Sequence, residues 1–82
     1  MVEEVQLNKE MSTHSTSVSK GVKFRVGEDV MKAVIKSPDG MELRAEIKGG
    51  SISTVFNGEG LWEITTYDKS GLTIGWHKIN VY

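Results

Sequence analysis

The chain has two imidazoles, His14 and His77, and many serines, so a serine nucleophile activated by histidine is the first chemistry to weigh. No serine sits in a Gly-x-Ser-x-Gly elbow. A triad is defined by geometry and not by inventory, so both histidines read as ordinary surface residues. Glu3-Glu4 and Glu28-Asp29 are paired carboxylates in sequence. On a strand, adjacent side chains point to opposite faces, which separates such a pair and removes it as an acid/base couple. Asp29, Asp39, Glu59 and Asp68 fall near expected strand ends, where some sandwiches hold calcium with loop oxygens. No EF-hand loop accompanies them, and an aspartate accepting hydrogen bonds from its own turn is the favoured reading. There is no cysteine, which excludes disulfides, thiolate metal sites and cysteine nucleophiles. A zinc site would have to recruit carboxylates beside the two histidines. Gly49-Gly50 and Asn57-Gly58-Glu59-Gly60 lack the lysine-serine signature of a phosphate loop and read as hairpin turns, Asn57-Gly58 being a favoured two-residue pair. The expectation is a non-catalytic chain without a metal or cofactor.

The aromatic residues carry what functional signal remains. Trp62 shares the phase of Ile64 and is expected in the core. Trp76, Tyr67 and Tyr82 are less constrained. If Trp76 points outward beside His77 and Tyr67, the cluster would form a binding surface for carbohydrate or protein, because aromatic rings give large contact area at low entropy cost. In the competing reading Trp76 covers one open end of the fold. The candidate binding surface is therefore Trp76, His77, Tyr67 and Tyr82.

Ten basic and eleven acidic residues give a formal net charge of −1 over 82 residues. That interspersed balance argues against nucleic acid, which selects a clustered basic excess. It offers no polybasic segment to an anionic membrane. No apolar run approaches the roughly 20 residues of a spanning helix. The acidic opening, Met1 to Leu7, has no apolar h-region and does not read as a secretory signal. Two settings follow: cytoplasm or virion if the 82 residues are complete, or the cell surface or exterior if they belong to a longer exported chain.

The elements that must position these side chains are strands. Met41, Leu43, Ala45 and Ile47 alternate with Glu42, Arg44, Glu46 and Lys48, which predicts one buried and one solvated face. Val22, Phe24 and Val26 alternate with Lys23 and Arg25 between Gly21 and Gly27. Val30 to Lys36 reads as a strand because its second half is rich in β-branched residues and the turn Ser37-Pro38-Asp39-Gly40 follows at once. Further runs are Ser51 to Phe56, Leu61 to Tyr67 and Leu72 to Tyr82, the last two separated by Asp68-Lys69-Ser70-Gly71. Turns recurring at this spacing predict a sandwich or barrel. In the first 20 residues Val2, Val5 and Leu7 suggest an edge strand, and Ser12 to Ser19 is either a polar loop or an exposed strand.

The last run breaks phase. Leu72, Ile74 and Trp76 are even, whereas Ile79 and Val81 are odd. A side-chain period of two cannot place both sets on one face. Either a bulge near Gly75-Trp76-His77 restores the phase, or the strand leaves one sheet there.

From Gly60 to Gly71 the order is glycine, an aromatic two residues on, alternating Ile and Thr, then an Asp-Lys-Ser-Gly turn. This resembles the end of bacterial immunoglobulin-like repeats, with Ile79 and Val81 as their closing apolar alternation. Ile35 to Ile47, with its Ser-Pro-Asp-Gly turn, is similar to the middle of filamin-like repeats. The resemblance spans about residues 30–82. It departs at Leu72, where Asn is commoner, and at Trp76, where such modules are polar. It implies an all-β, immunoglobulin-like antiparallel β-sandwich of about seven strands, one domain over residues 1–82. It also implies a spacer or adhesion module of a larger bacterial surface, secreted or phage-related protein. Its partners would be neighbouring domains, another protein or carbohydrate, and the module alone would be monomeric. The alternative is a complete small protein-binding factor that uses an edge strand or the Trp76 region.

Overall fold

A computed structural model describes residues 3–7 and 11–82. Eight strands run in order: β1 Glu3–Gln6, β2 Ser12–Thr16, β3 Gly21–Arg25, β4 Lys32–Lys36, β5 Glu42–Ala45, β6 Ser51–Val55, β7 Gly60–Tyr67 and β8 Thr73–Val81. They form two sheets, β1-β3-β6 and β2-β8-β7-β4-β5. The chain is thus an all-β sandwich, with eight strands among the described residues where about seven were expected. Most pairings are antiparallel. The N-terminal segment is the exception: β1 runs parallel to β3, and β2 runs parallel to β8. The chain therefore lies along an edge of each sheet in turn, and Leu7 is buried at the crossing. Ser12 to Ser19 resolves into a strand and then a turn. Val2 lies outside the described residues.

The inner faces supply the core. Val22, Phe24, Ile52 and Phe56 meet Ala33, Ile35, Trp62, Ile64, Ile79 and Val81. Trp62 is buried as expected; its ring centroid lies 5.1 Å from that of Phe56, and its indole N–H donates to the Gly58 carbonyl at 2.9 Å. A buried indole needs such a partner. The Ser37–Gly40 turn closes β4 onto β5 through a 2.8 Å bond from the Ser37 amide to the Met41 carbonyl, with Gly40 at φ 93°. Gly60 opens β7 at φ 128°, and a Cβ there would meet Pro38 Cγ at 2.8 Å, so the turn presses directly on the strand start.

Two expectations need correction. The alternation from Met41 to Lys48 does not produce a buried face: Met41 is 65% exposed and Leu43 61%, with only Ala45 and Ile47 partly covered. β5 is the outermost strand of its five-stranded sheet, and the facing sheet has only three strands. In β8 the irregularity is a bulge at Ile74, because Gly75 pairs with Thr66 and Thr73 with Tyr67. From there Gly75, His77, Ile79 and Val81 all face inward in one phase, and Trp76 faces out.

The packing generates a test. Ile64→Val, fully buried at the sheet centre, should cost about 0.5–1.5 kcal/mol in urea unfolding. Val55→Ala, on the exposed side of β6, should stay within about 0.5 kcal/mol. Equal losses at the two positions would contradict this assignment of faces.

Candidate functional site

The inner face of β2 carries Ser12, His14 and Thr16, placed against His77, Ile79 and Val81 of β8 by the parallel register. That register brings the two histidines onto one hydroxyl. Ser12 Oγ lies 2.5 Å from His77 Nδ1 and 3.3 Å from His14 Nε2. His77 has no exposed surface, and its Nε2 is buried without a partner. An unpartnered lone pair costs less than an unpartnered N–H, so we assign the neutral tautomer in which Nδ1–H donates to Ser12. The Ser12 hydroxyl is then able to donate to His14 Nε2.

This grouping brings a serine and two histidines together, which the spacing in sequence did not reveal. Its chemistry is nevertheless not that of an activated nucleophile. In this tautomer the base facing the hydroxyl is His14, and a base needs a third group to orient it; among the described residues His14 makes no side-chain hydrogen bond besides that to Ser12. The His77 ring, its far nitrogen unbonded, is sealed from solvent. Burial pushes the His77 imidazole below its ordinary 6.5, and the charge of His14 adds to that shift. His77 thus acts as a neutral polar member of the core.

The candidate binding surface divides. Trp76 is 40% exposed on the outer face of the five-stranded sheet, opposite Thr65. Tyr67 lies half-buried on the same face, at the end of β7. Each ring is already covered by a cation: Lys78 Nζ stands 5.0 Å from the Trp76 centroid and Lys32 Nζ 4.7 Å from that of Tyr67. Trp76 caps no open end; it lies within β8. His77 is the correction here. It is adjacent in sequence but projects to the opposite side of the sheet, as alternation requires. Tyr82 is exposed but six residues along, about 20 Å from Trp76 at strand rise, so it belongs to the other end of the sheet.

The carboxylates serve turns. Asp39 accepts from the Ser37 hydroxyl and the Met41 amide, and the Ser37 bond is the main cause that holds its carboxyl below the ordinary range. Asp68 accepts from the Ser70 hydroxyl at 2.7 Å, the Ser70 amide at 2.9 Å and the Leu72 amide at 3.0 Å, with the same effect. No group of three His, Asp or Glu that could hold a metal ion occurs among the described residues.

The surface that sequence reasoning missed is the β5 edge. Met41 and Leu43, with Pro38, Gly58 and Trp62, line a concavity of about 400 Å³. A second, of about 470 Å³, opens between β5 and β6, with Ile35, Leu43, Ala45 and Ile52 in its wall. The sequence signal was present as an apolar alternation, but burial of that face depends on a covering layer that the pattern cannot specify.

No family model matches the chain, and no curated protein does. Among solved structures it is similar to a point mutant of amicyanin in its reduced Cu(I) form at pH 4. The TM-score is 0.54 and the identity 14%, over 100% of this chain and 81% of that one. The likeness is one of fold. Copper centres of the blue type take a cysteine thiolate and two histidines. This chain has no cysteine, and its two histidines are joined through Ser12, so its residues do not fit such a centre.

The lowered His77 pKa predicts a pH dependence. A base kept neutral by folding stabilises fully above its ordinary value and loses that contribution as pH falls through the lowered one. Unfolding free energy should therefore begin to decline as pH falls below about 6.5, above the range in which Asp39 and Asp68 titrate. His77→Leu should flatten that segment in denaturant titrations. Identical slopes in both proteins would refute the assignment.

Proposed function

We propose that the chain is a non-catalytic β-sandwich module that acts by surface contact within a larger assembly, with the outer edge of β5 as its contact element. The observation that carries this reading is the exposure of Met41 and Leu43 on an outermost strand. Such edges are normally blunted or covered, because their unpaired amides and carbonyls recruit other strands. Strand addition at an open edge is a recurrent mode of recognition: main-chain bonds give affinity and alternate side chains give selectivity.

The groups with chemical potential are engaged elsewhere. His77 is bonded to Ser12 within the core, and Asp39 and Asp68 tie their own turns. That supports the reading as a spacer or adhesion module, which the immunoglobulin-like resemblance implies for surface, secreted or phage-related proteins. The Trp76 and Tyr67 face is the weaker contact candidate, since lysines already cover both rings.

A photo-crosslinking amino acid at position 43 tests the reading in the cells that make the protein. A discrete covalent adduct is expected from position 43 and none from position 80, exposed on β8, three strands away in the same sheet. Absence of an adduct from position 43, or equal labelling from both, would reject the β5 edge as the contact element.

A further inference from the structure

Resting on that reading of the β5 edge, we propose that its partner is a second copy of this chain, paired antiparallel β5 to β5 about a two-fold axis at Leu43.

The backbone comes first. The Ser37 amide bonds to the Met41 carbonyl, and β4 pairs with β5 in unbroken antiparallel register from Lys36–Glu42 to Ala33–Ala45. Hydrogen-bonded pairs alternate along such a ladder. Met41, Leu43 and Ala45 therefore turn their main-chain groups toward β4, and Glu42 and Arg44 turn theirs to the outer edge. Those are the amides and carbonyls an added strand would engage.

The side chains then select the register. Pairing must keep apolar residues opposite apolar ones, because a slip of one residue exchanges faces. With Leu43 opposite Leu43 of the second copy, Glu42 faces Arg44 on the outer side, and Met41 faces Ala45 on the inner side. Both charge pairs are of opposite sign, which stabilises cross-strand neighbours. Moving the register by two residues one way places Arg44 against Arg44 and Glu42 against Glu46. Moving it two the other way places Glu42 against Glu42. A longer slide would match Arg44 with Glu46 and Glu42 with Lys48, but the chain leaves the sheet after Ala45, and Lys48 bridges to Ser51.

Charge on an outermost strand is usually read as protection against self-pairing. One sign alone would provide that. Here Glu42 and Arg44, two residues apart on one face, make the strand complementary to its own antiparallel copy. The pairing also covers the two large apolar side chains that the monomer leaves open, Met41 and Leu43. The product is a continuous ten-stranded sheet, five strands from each copy. It differs from the sequence-based expectation of a monomer, and the experiment below decides between the two.

The test is charge exchange, read by sedimentation velocity over a concentration series of the full chain. Wild type should pass reversibly from one chain mass to two. Glu42→Arg and Arg44→Glu each place like charges opposite at two points per dimer, and each should weaken association on the order of tenfold or more. Both positions are exposed, and matching circular dichroism and melting curves would show that the variants fold. The double variant should dimerise again. An equimolar mixture of the two single variants should form a heterodimer, because every opposed pair is then of opposite sign. A wild type that stays monomeric throughout, or single variants that associate as wild type does, would overturn the proposal. So would folded single variants that fail to pair when mixed. A monomeric wild type whose position 43 still crosslinks to a different protein would overturn the second copy while leaving the contact edge standing.

Discussion

Three strands span less width than five. At about 4.8 Å between neighbours, the β1-β3-β6 sheet falls roughly 10 Å short of the β2-β8-β7-β4-β5 sheet on which it packs. The centre of the larger sheet is covered, so Trp62, Ile64, Ile79 and Ala33 are buried. Its flanks are covered less well, and what stands on each flank follows from that mismatch. On the β2 flank the inward residues are Ser12, His14 and Thr16; Ser12 bonds to both histidines, and Thr16 is buried with its hydroxyl unpartnered. On the β5 flank they are Met41, Leu43 and Ala45, which gain nothing from water. A polar flank is a sufficient end to a sheet. An apolar flank with open main-chain groups is an invitation to another strand.

The His77–Ser12–His14 group shows what the same constraint does to chemistry. Neutral imidazole is a tolerable core residue only when one nitrogen is satisfied and the other presents a lone pair, and a serine on the neighbouring strand provides that arrangement. The fold thus converts an apparent nucleophile-and-base inventory into a structural hydrogen bond. Likeness to a copper protein follows the same logic: the sandwich is shared, while the cysteine thiolate that a blue-type copper centre takes is absent from the sequence.

Much of the architecture is legible in the sequence. Period-two alternation at Val22–Val26, the Ser-Pro-Asp-Gly and Asp-Lys-Ser-Gly turns, and the shared phase of Trp62 and Ile64 are local facts, and the fold keeps each of them. The phase break in the last run was also real, and the bulge at Ile74 lies beside the segment that it marked. What it meant for Trp76 and His77 was not readable, because a bulge fixes a change of phase but not which side is buried.

The sequence by itself determined the strands from Val22 onward, their turns and the absence of thiol chemistry, since these depend on residues a few positions apart or on composition. The tertiary structure alone decided which alternating faces are covered. It placed His77 inside against Ser12, 65 residues away in the chain, and left Met41 and Leu43 outside on β5. The physical reason is that alternation states only that a strand has two different faces. Which face meets another layer, and whether that layer is wide enough to reach it, is set by strand order across the whole molecule.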